Sequence, residues 1–322
     1  MDKAIVLTTI NYPSKAVIKF SKLKEFKLFV AGDNKTPKDW NLKNTVFLSI
    51  KKQFSKYKKL STLVAQNHYA RKNLAYVEAI TSGNEYIYET DDDNIPYDFF
   101  PNFIENNEKI DQITSNFAFN VYSLFTKKNV WPRGLPLNYI KNNKFTISKS
   151  LVKPLIQQSL SDLDPDVDAI YRLCIHDKIN FIKNKRVSLS KHVYCPFNTQ
   201  NTYWNKLVFA LLYIPSTVES RITDIWRGYI AQRILWELDS ELIFSSPNVY
   251  QERNIHDFTK DFNQELDLYT KSEPLIKALE LINLSGTTSD MMLKIYEKLI
   301  KLNYFKKEEM KILEEWLNLV SA

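Results

Sequence analysis

Residues 85–96 read EYIYETDDDNIP, and the fold depends on how that stretch divides. Its first half, EYIYET, has the Tyr, Ile and Thr content and the length of a buried strand. Its second half sets three consecutive carboxylates, Asp91, Asp92 and Asp93, at the strand's end. Adjacent acidic groups repel one another and resist dehydration, so a buried strand ends in them at a cost unless a cation arrives. Acidic oxygens suit hard divalent ions: magnesium or manganese takes one or two carboxylates and completes its shell with diphosphate oxygens and water. If the extended geometry continues past Thr90, alternation points Asp91 and Asp93 to one side and Asp92 to the other. The plain alternative is a strand end whose Asp and Asn residues cap the turn before Pro96. A calcium EF-hand does not fit, because Pro96 stands where that loop needs Gly and Asn102 where it needs Glu.

Working outward, KAIVLTTI (3–10), FKLFVAG (26–32) and TVFLSI (45–50) are short apolar runs separated by polar segments of helix or loop length. That rhythm predicts βαβ units. Before EYIYET, Ala70, Leu74, Val77 and Ile80 form a helical apolar face, and Gly83 stops the helix. QITSNFAF (112–119) is a further predicted strand. The alternation predicts an α/β fold, a mainly parallel sheet flanked by helices, with its ligand crevice at the carboxyl ends of the strands. Thr8, Thr9 and Asn11 follow strand one, Asp33 follows strand two and Asp91 to Asp93 follow strand four, so one rim collects them. Arg71 and Lys72 stand near the start of the helix before the Asp-bearing strand, where cations and free amides meet phosphate or simply face solvent.

Downstream, WPRGLPL (131–137), DLDPDVDAIYRL (162–173) and PFNTQNTYW (196–204) read as site-building loops. From residue 264 the pattern changes to amphipathic helices, EPLIKALELINL, SDMMLKIYEKLIKL and KKEEMKILEEWLNLV. This gives a catalytic unit over 1–263 and a C-terminal helical segment over 264–322. Core packing is the default use of those helices, with a protein or peripheral-membrane partner as the alternative. The chain has 322 residues, 44% of them hydrophobic, and a net charge of +7, which describes a packed globule with a mildly basic surface. The basic run KKQFSKYKK (51–59) reads as a solvated face, and no nucleic-acid partner is expected. Cys174 and Cys195 fit neither a disulfide framework nor a zinc site, and no apolar run approaches the ~18 residues of a membrane span. A cytoplasmic protein is expected.

Taken together, IVLTTINYPSKA, VAGDNKTPKDW, HYARKNLAYVEAI, YETDDDNIP, WPRGLPL, DPDVDAIYRL, PFNTQNT, RITDIWRGYIAQRILWE and VYQERNIHDF resemble the STELLO-type glycosyltransferases from about residue 4 to 265. The same segments are more distantly similar to the reversibly glycosylated polypeptides, the UDP-arabinopyranose mutases. There YIYETDDD looks like the metal-binding Asp triplet, Arg133 falls near a glycosylatable arginine, and VDA and TDIWRG resemble two further acidic segments. The sequence departs from the mutases around Arg133, which lies in Trp-Pro-Arg-Gly-Leu, and at Thr223 before Asp224.

Both resemblances imply a GT-A type nucleotide-diphospho-sugar transferase fold with an Asp-bound metal. Asp91 and Asp93 would carry Mn2+ or Mg2+, the DxD pattern, with Asp92 facing the donor or bracing the loop. Thr8, Asn11 and Asp33 would line the nucleoside pocket, and Arg71 and Lys72 would lie near the diphosphate or sugar. The donor is a nucleotide-diphosphate sugar, a UDP-sugar by preference, and the acceptor a glycan or other hydroxyl. An inverting transfer needs a group to receive the acceptor proton. Asp224 is the candidate, with helix capping as its alternative, followed by Asp168 and Asp166, which a turn with capping aspartates also explains. Arg133 would stabilise developing diphosphate charge, or accept the sugar in a mutase-like reaction. His68, His192 and His256 are isolated histidines that structural roles also explain. Trp131, Trp204 and Trp226 are candidates for stacking on sugar rings, with core packing favoured for Trp226.

Overall fold

The computed structural model describes residues 2–142, 144–252 and 257–321. Strand β1 (Lys3–Thr9) is buried along most of its length, as an interior strand covered on both faces requires. β2 (Lys27–Gly32) and β3 (Thr45–Leu48) extend the sheet on one side of β1, and β4 (Tyr86–Thr90) lies on the other, all parallel. Helix α1 (Lys15–Phe20) joins β1 to β2. The helices α2 (Ile50–Lys56), α3 (Lys58–Leu63) and α4 (Lys72–Thr81) carry the chain from β3 back to β4. β3 stops short of the predicted Ile50 because Ser49 leaves the strand to cap α2, its hydroxyl accepting from Lys52 N at 3.3 Å. The strand order reverses between β1 and β4, and the loops leaving their carboxyl ends diverge there to form a crevice.

The remaining strands are β5 (Asn94–Pro96), β6 (Glu108–Ser115), β7 (Phe145–Val152), β8 (Ile156–Asp162), β9 (Arg186–Leu189), β10 (Asn201–Asn205) and β11 (Ile243–Gln251). They complete a sheet of order β3-β2-β1-β4-β10-β8-β11-β9-β6-β7, with β5 on β11. β10 runs antiparallel to both β4 and β8, so the parallel half gives way to a mixed one. The predicted strand over 112–119 begins earlier, at Glu108, to pair with β7. It ends at Ser115, two residues before Phe117 takes a left-handed φ of 56°.

Six α-helices complete the described chain: α5 (Ala169–Cys174), α6 (Thr223–Leu235), α7 (Phe258–Gln264), α8 (Leu266–Glu280), α9 (Thr288–Lys301) and α10 (Glu308–Val320), the last of which closes the C-terminal segment. The faces of α8, α9 and α10 point inward. Leu275, Leu279, Ile295, Leu299, Leu313 and Trp316 share one core with Leu74 and Val77 of α4 and Ile230 and Ile234 of α6. Trp316 meets Tyr76 edge-on at 6.3 Å and donates Nε1 to Ala210 O at 2.9 Å. Each such side chain, fully buried, contributes about 1.5–3 kcal/mol, so these helices are held by the main core. Among the described residues no helix is long and apolar enough to cross a membrane.

One charged pair lies inside that core. Arg227 of α6 donates to both carboxylate oxygens of Glu89 on β4 at 2.8 Å, and Trp204 Nε1 adds a third bond at 2.8 Å. Its guanidinium also lies 4.8 Å from the Trp204 ring centroid. Bidentate geometry and full hydrogen bonding offset the desolvation of the pair. The pair fixes α6 to the strand that ends, two residues later, in Asp91.

Candidate functional site

The carboxyl ends of β1, β2 and β4 open on a cavity of about 810 Å³, lined by Thr8, Thr9, Asn11, Asp33 and all three aspartates of the β4 end. The chain turns after Thr90, with Asn94 N donating to Asp91 O at 3.4 Å. The expected alternation is therefore lost. Instead the three side chains fan out, each held by a different element. Asp91 Oδ1 accepts from Tyr69 Oη at 2.5 Å and from Lys72 Nζ at 3.4 Å, while its Oδ2 has no hydrogen bond among the described residues. Asp92 Oδ2 accepts from Thr9 Oγ1 and from Asn11 Nδ2 at 3.2 Å, and its backbone carbonyl accepts from Ser14, the N-cap of α1. Asp93 Oδ2 accepts from Gln251 Nε2 at 2.9 Å, at the end of β11. Burial pushes the Asp91 carboxyl above its usual range, against the pull of Lys72 and Tyr69.

Across the cavity a second acidic group carries its own cation. Arg133 Nε and Nη2 each donate to Asp166 at 2.8 Å, and Nη1 and Nη2 donate to Asp224 at 3.0–3.2 Å. The last N–H of Nη1 goes to Arg221 O. All five donors of the guanidinium are thus engaged. Burial works against the Arg133 charge, but Asp166 and Asp224 outweigh it and hold the group well above its ordinary range. Asp224 stands in the first turn of α6 without capping it, since the N-cap is Ile222. Thr199 N and Oγ1 each donate to Asp224 Oδ2 at 3.3 Å.

Two glycines permit this approach. Gly134 has φ of +85°, and a Cβ there would lie 2.3 Å from Ile225 Cγ2, so only Gly lets the Arg133 loop close on α6. At Gly228 a Cβ would lie 2.6 Å from Phe197 O, which brings the 198–200 loop against the same helix.

Three predicted residues stand outside the cavity wall. Arg71 is fully buried, donating to Ser61 O at 2.9 Å, Val64 O at 3.2 Å and Gln53 Oε1, and burial lowers its pKa. The 3-10 turn Tyr69–Arg71 gives the cavity to Tyr69 and turns Arg71 inward, against the expectation of a phosphate contact. Lys72 is also fully buried and reaches Asp91 from behind, bonded to Thr90 O at 2.6 Å and Tyr69 Oη at 2.9 Å. Asp168 caps α5, accepting from Tyr171 N at 2.8 Å and from Trp131 Nε1 at 2.7 Å, and burial raises its carboxyl to about 6. Its neighbour Asp166 holds the cavity position instead.

His68 lines the cavity but commits Nε2 to Val218 O at 2.8 Å, and His192 pairs with Glu280 at 2.7 Å away from it. His256 lies outside the described residues. Trp204 and Trp226 are fully buried and Trp131 nearly so, so core packing and not sugar stacking explains all three.

Sequence reading missed Tyr69, Thr199 and Gln251, each inside a segment it singled out. Tyr69 Oη links Asp91 to Thr199 Oγ1, at 2.5 and 2.6 Å, and so joins the two acidic groups. Burial and then Asp91 hold its phenol well above its ordinary pKa. Lys35 and Lys260 also line the cavity and were not foreseen. Among the described residues no three His, Cys, Asp or Glu side chains converge on a metal position.

The family model of the STELLO glycosyltransferases matches residues 221–322, from the start of α6 to the C-terminus. Two Arabidopsis thaliana proteins are similar over most of the chain. Probable glycosyltransferase STELLO1 is 27% identical over 343 residues, covering 98% of this chain and 44% of the relative. Probable glycosyltransferase STELLO2 is 30% identical over 300 residues, covering 86% of this chain and 39% of the relative. The chain thus spans less than half the length of these curated relatives. A crystal structure of a mycobacterial protein aligns with a TM-score of 0.40 and 10% identity, over 88% of this chain and 76% of that one.

Proposed function

Because the chain is a relative of the STELLO glycosyltransferases, we propose that it transfers a glycosyl unit from a nucleotide-diphosphate sugar, a UDP-sugar by preference, to an acceptor hydroxyl of a glycan. The observation that carries this reading is the carboxylate turn at the β1/β4 crevice, where Asp91 keeps Oδ2 unbonded beside Asp92 and Asp93. The donor set is all oxygen and fits a hard divalent ion, Mn2+ or Mg2+, which Asp91 and Asp93 would hold. When bound, such an ion supplies Lewis-acid stabilisation of the diphosphate leaving group.

This chain's own residues do the rest. Thr8, Asn11 and Asp33 line the nucleoside side of the cavity, Asp33 oriented by His68 N at 3.2 Å. Asp92 braces the turn through Thr9 and Asn11. Asp224 receives the acceptor proton, and Arg133 and Thr199 fix its carboxylate in place. Arg133 as a sugar acceptor, the mutase-like alternative, would first have to give up its bonds to Asp166 and Asp224, which favours transfer to an external hydroxyl. The free thiols, exposed Cys174 and buried Cys195, suit the reducing cytoplasm in which we place the protein.

The test is a panel of nucleotide sugars incubated with Mn2+ and hydroxyl acceptors, with nucleoside diphosphate and glycoside followed by mass spectrometry. Release of diphosphate with a new glycoside is expected. Isomerised nucleotide sugar without acceptor would point to a mutase, and binding without turnover to a donor-binding scaffold.

A further inference from the structure

The last helix, α10, carries a carboxyl group with no access to solvent. Glu309 is fully buried, and among the described residues no Lys or Arg pairs with it. Its oxygens accept from Tyr213 Oη, from Ser216 N at 3.0 Å and from Thr217 N at 2.8 Å. Burying a carboxyl without a cation is costly, and these three donors are its compensation. They fix the middle of the 213–220 loop to α10. Asn73 of α4 fixes its start, exchanging side-chain bonds with Ile214 N and O at 2.9 and 2.8 Å.

From that loop three bonds run to the segment before α4. Ser216 Oγ accepts from Ala65 N at 2.9 Å, Val218 O meets His68 Nε2 at 2.8 Å, and Ser220 Oγ accepts from Tyr69 N at 3.4 Å. Tyr69 in turn holds Asp91. We propose that Glu309 is a positioning residue of the cavity: it sets the 213–220 loop, which seats His68 and Tyr69 and, through Tyr69, the Asp91 carboxylate. Its effect on ligand binding rests on the nucleotide-sugar reading; its effect on the loop does not.

Glu309→Gln puts an amide donor against one of the two backbone amides. Hydrogen–deuterium exchange on the full chain reads residues 65–71 and 213–220, and calorimetric titration of UDP with Mn2+ reads the cavity. Leu313→Ala, one turn further along α10, weakens the helix without touching these bonds and serves as control. Tyr213→Phe, which deletes one donor, gives a milder form of the change should Glu309→Gln not fold. Exchange over 65–71 should quicken on the order of tenfold, and UDP affinity should fall several-fold, with neither change in Leu313→Ala. Unaltered exchange over 65–71, or equal acceleration in the control, overturns the proposal. Faster exchange with unaltered UDP affinity makes Glu309 a structural anchor only and overturns it too. If the wild-type protein binds no UDP with Mn2+, the nucleotide reading fails alone, and exchange still decides the case of Glu309.

Discussion

The two acidic groups that face each other across the cavity differ in where their counter-charge comes from. On the far side Asp166 and Asp224 share Arg133, all of whose N–H donors are spent. At the β4 end, among the described residues, the Asp92 carboxylate accepts from the neutral Thr9 and Asn11 only, and Asp91 has Lys72 at 3.4 Å behind it and an oxygen without a hydrogen bond in front. The first group is complete without a ligand. The second, in the function proposed above, takes one, because an unbonded carboxylate oxygen beside neighbouring carboxylates is what an arriving cation relieves. Charge in the sequence is alike in the two places, and only the partners distinguish them.

The sharpest way to break this contrast is to remove the internal cation. Arg133→Met leaves Asp166 and Asp224 buried without it and should cost about 3–5 kcal/mol in urea unfolding. A loss below 1 kcal/mol would mean that the far group does not depend on its arginine.

Asp168 belongs to the same side but caps a helix and is not reached by Arg133. Its carboxyl, raised by burial from 3.8 to about 6, binds a proton in the folded state through a window where the unfolded chain has released it. Its contribution to stability is therefore fully present below 3.8 and is lost as pH rises through about 6, a change of about 3 kcal/mol. Unfolding free energies measured from pH 4 to 7 should show that slope in the wild type and lose it in Asp168→Asn.

At the β4 end the expected loss is in ligand rather than fold. Asp91→Asn should weaken Mn2+-dependent UDP binding by roughly tenfold to a hundredfold, read by calorimetry, while the protein stays folded by circular dichroism. Equal affinity in wild type and variant would remove Asp91 from the proposed metal site. Asn11→Ala should have the smallest effect. It deletes one exposed bond to Asp92 and should change stability by under about 1 kcal/mol, with a few-fold loss of UDP affinity at most.

Much of the parallel half was legible in the sequence. β1, β2 and β4 are short apolar runs with polar rims, and the period of α4 was plain, so the crevice and the residues Thr8, Asn11, Asp33 and Asp91 to Asp93 followed from topology. The rest was hidden for physical reasons. Glu89 sits in the apolar run YIYET, and nothing local announces that Arg227, more than a hundred residues later, will neutralise it. Arg71 and Lys72 are adjacent, yet one turns into the α2–α3 corner and the other beneath Asp91, a choice made by the 3-10 turn before α4. Asp166 and Asp168 lie two apart, and which of them faces the cavity was decided by the capping of α5. Trp226 packs in the core as its helix position suggested, whereas Trp131 and Trp204 were misread because aromatic rings serve a core and a sugar equally well until burial is known.

The glycine beside Arg133 has a consequence for how this surface tolerates mutation. Because the loop rests on Ile225 with no space for one more methyl group, a substitution at Gly134 that alters no charge would still lever the guanidinium away from its carboxylates. Bulk introduced at that position would be felt as an electrostatic lesion, so a neutral change there should behave like the loss of an ion pair.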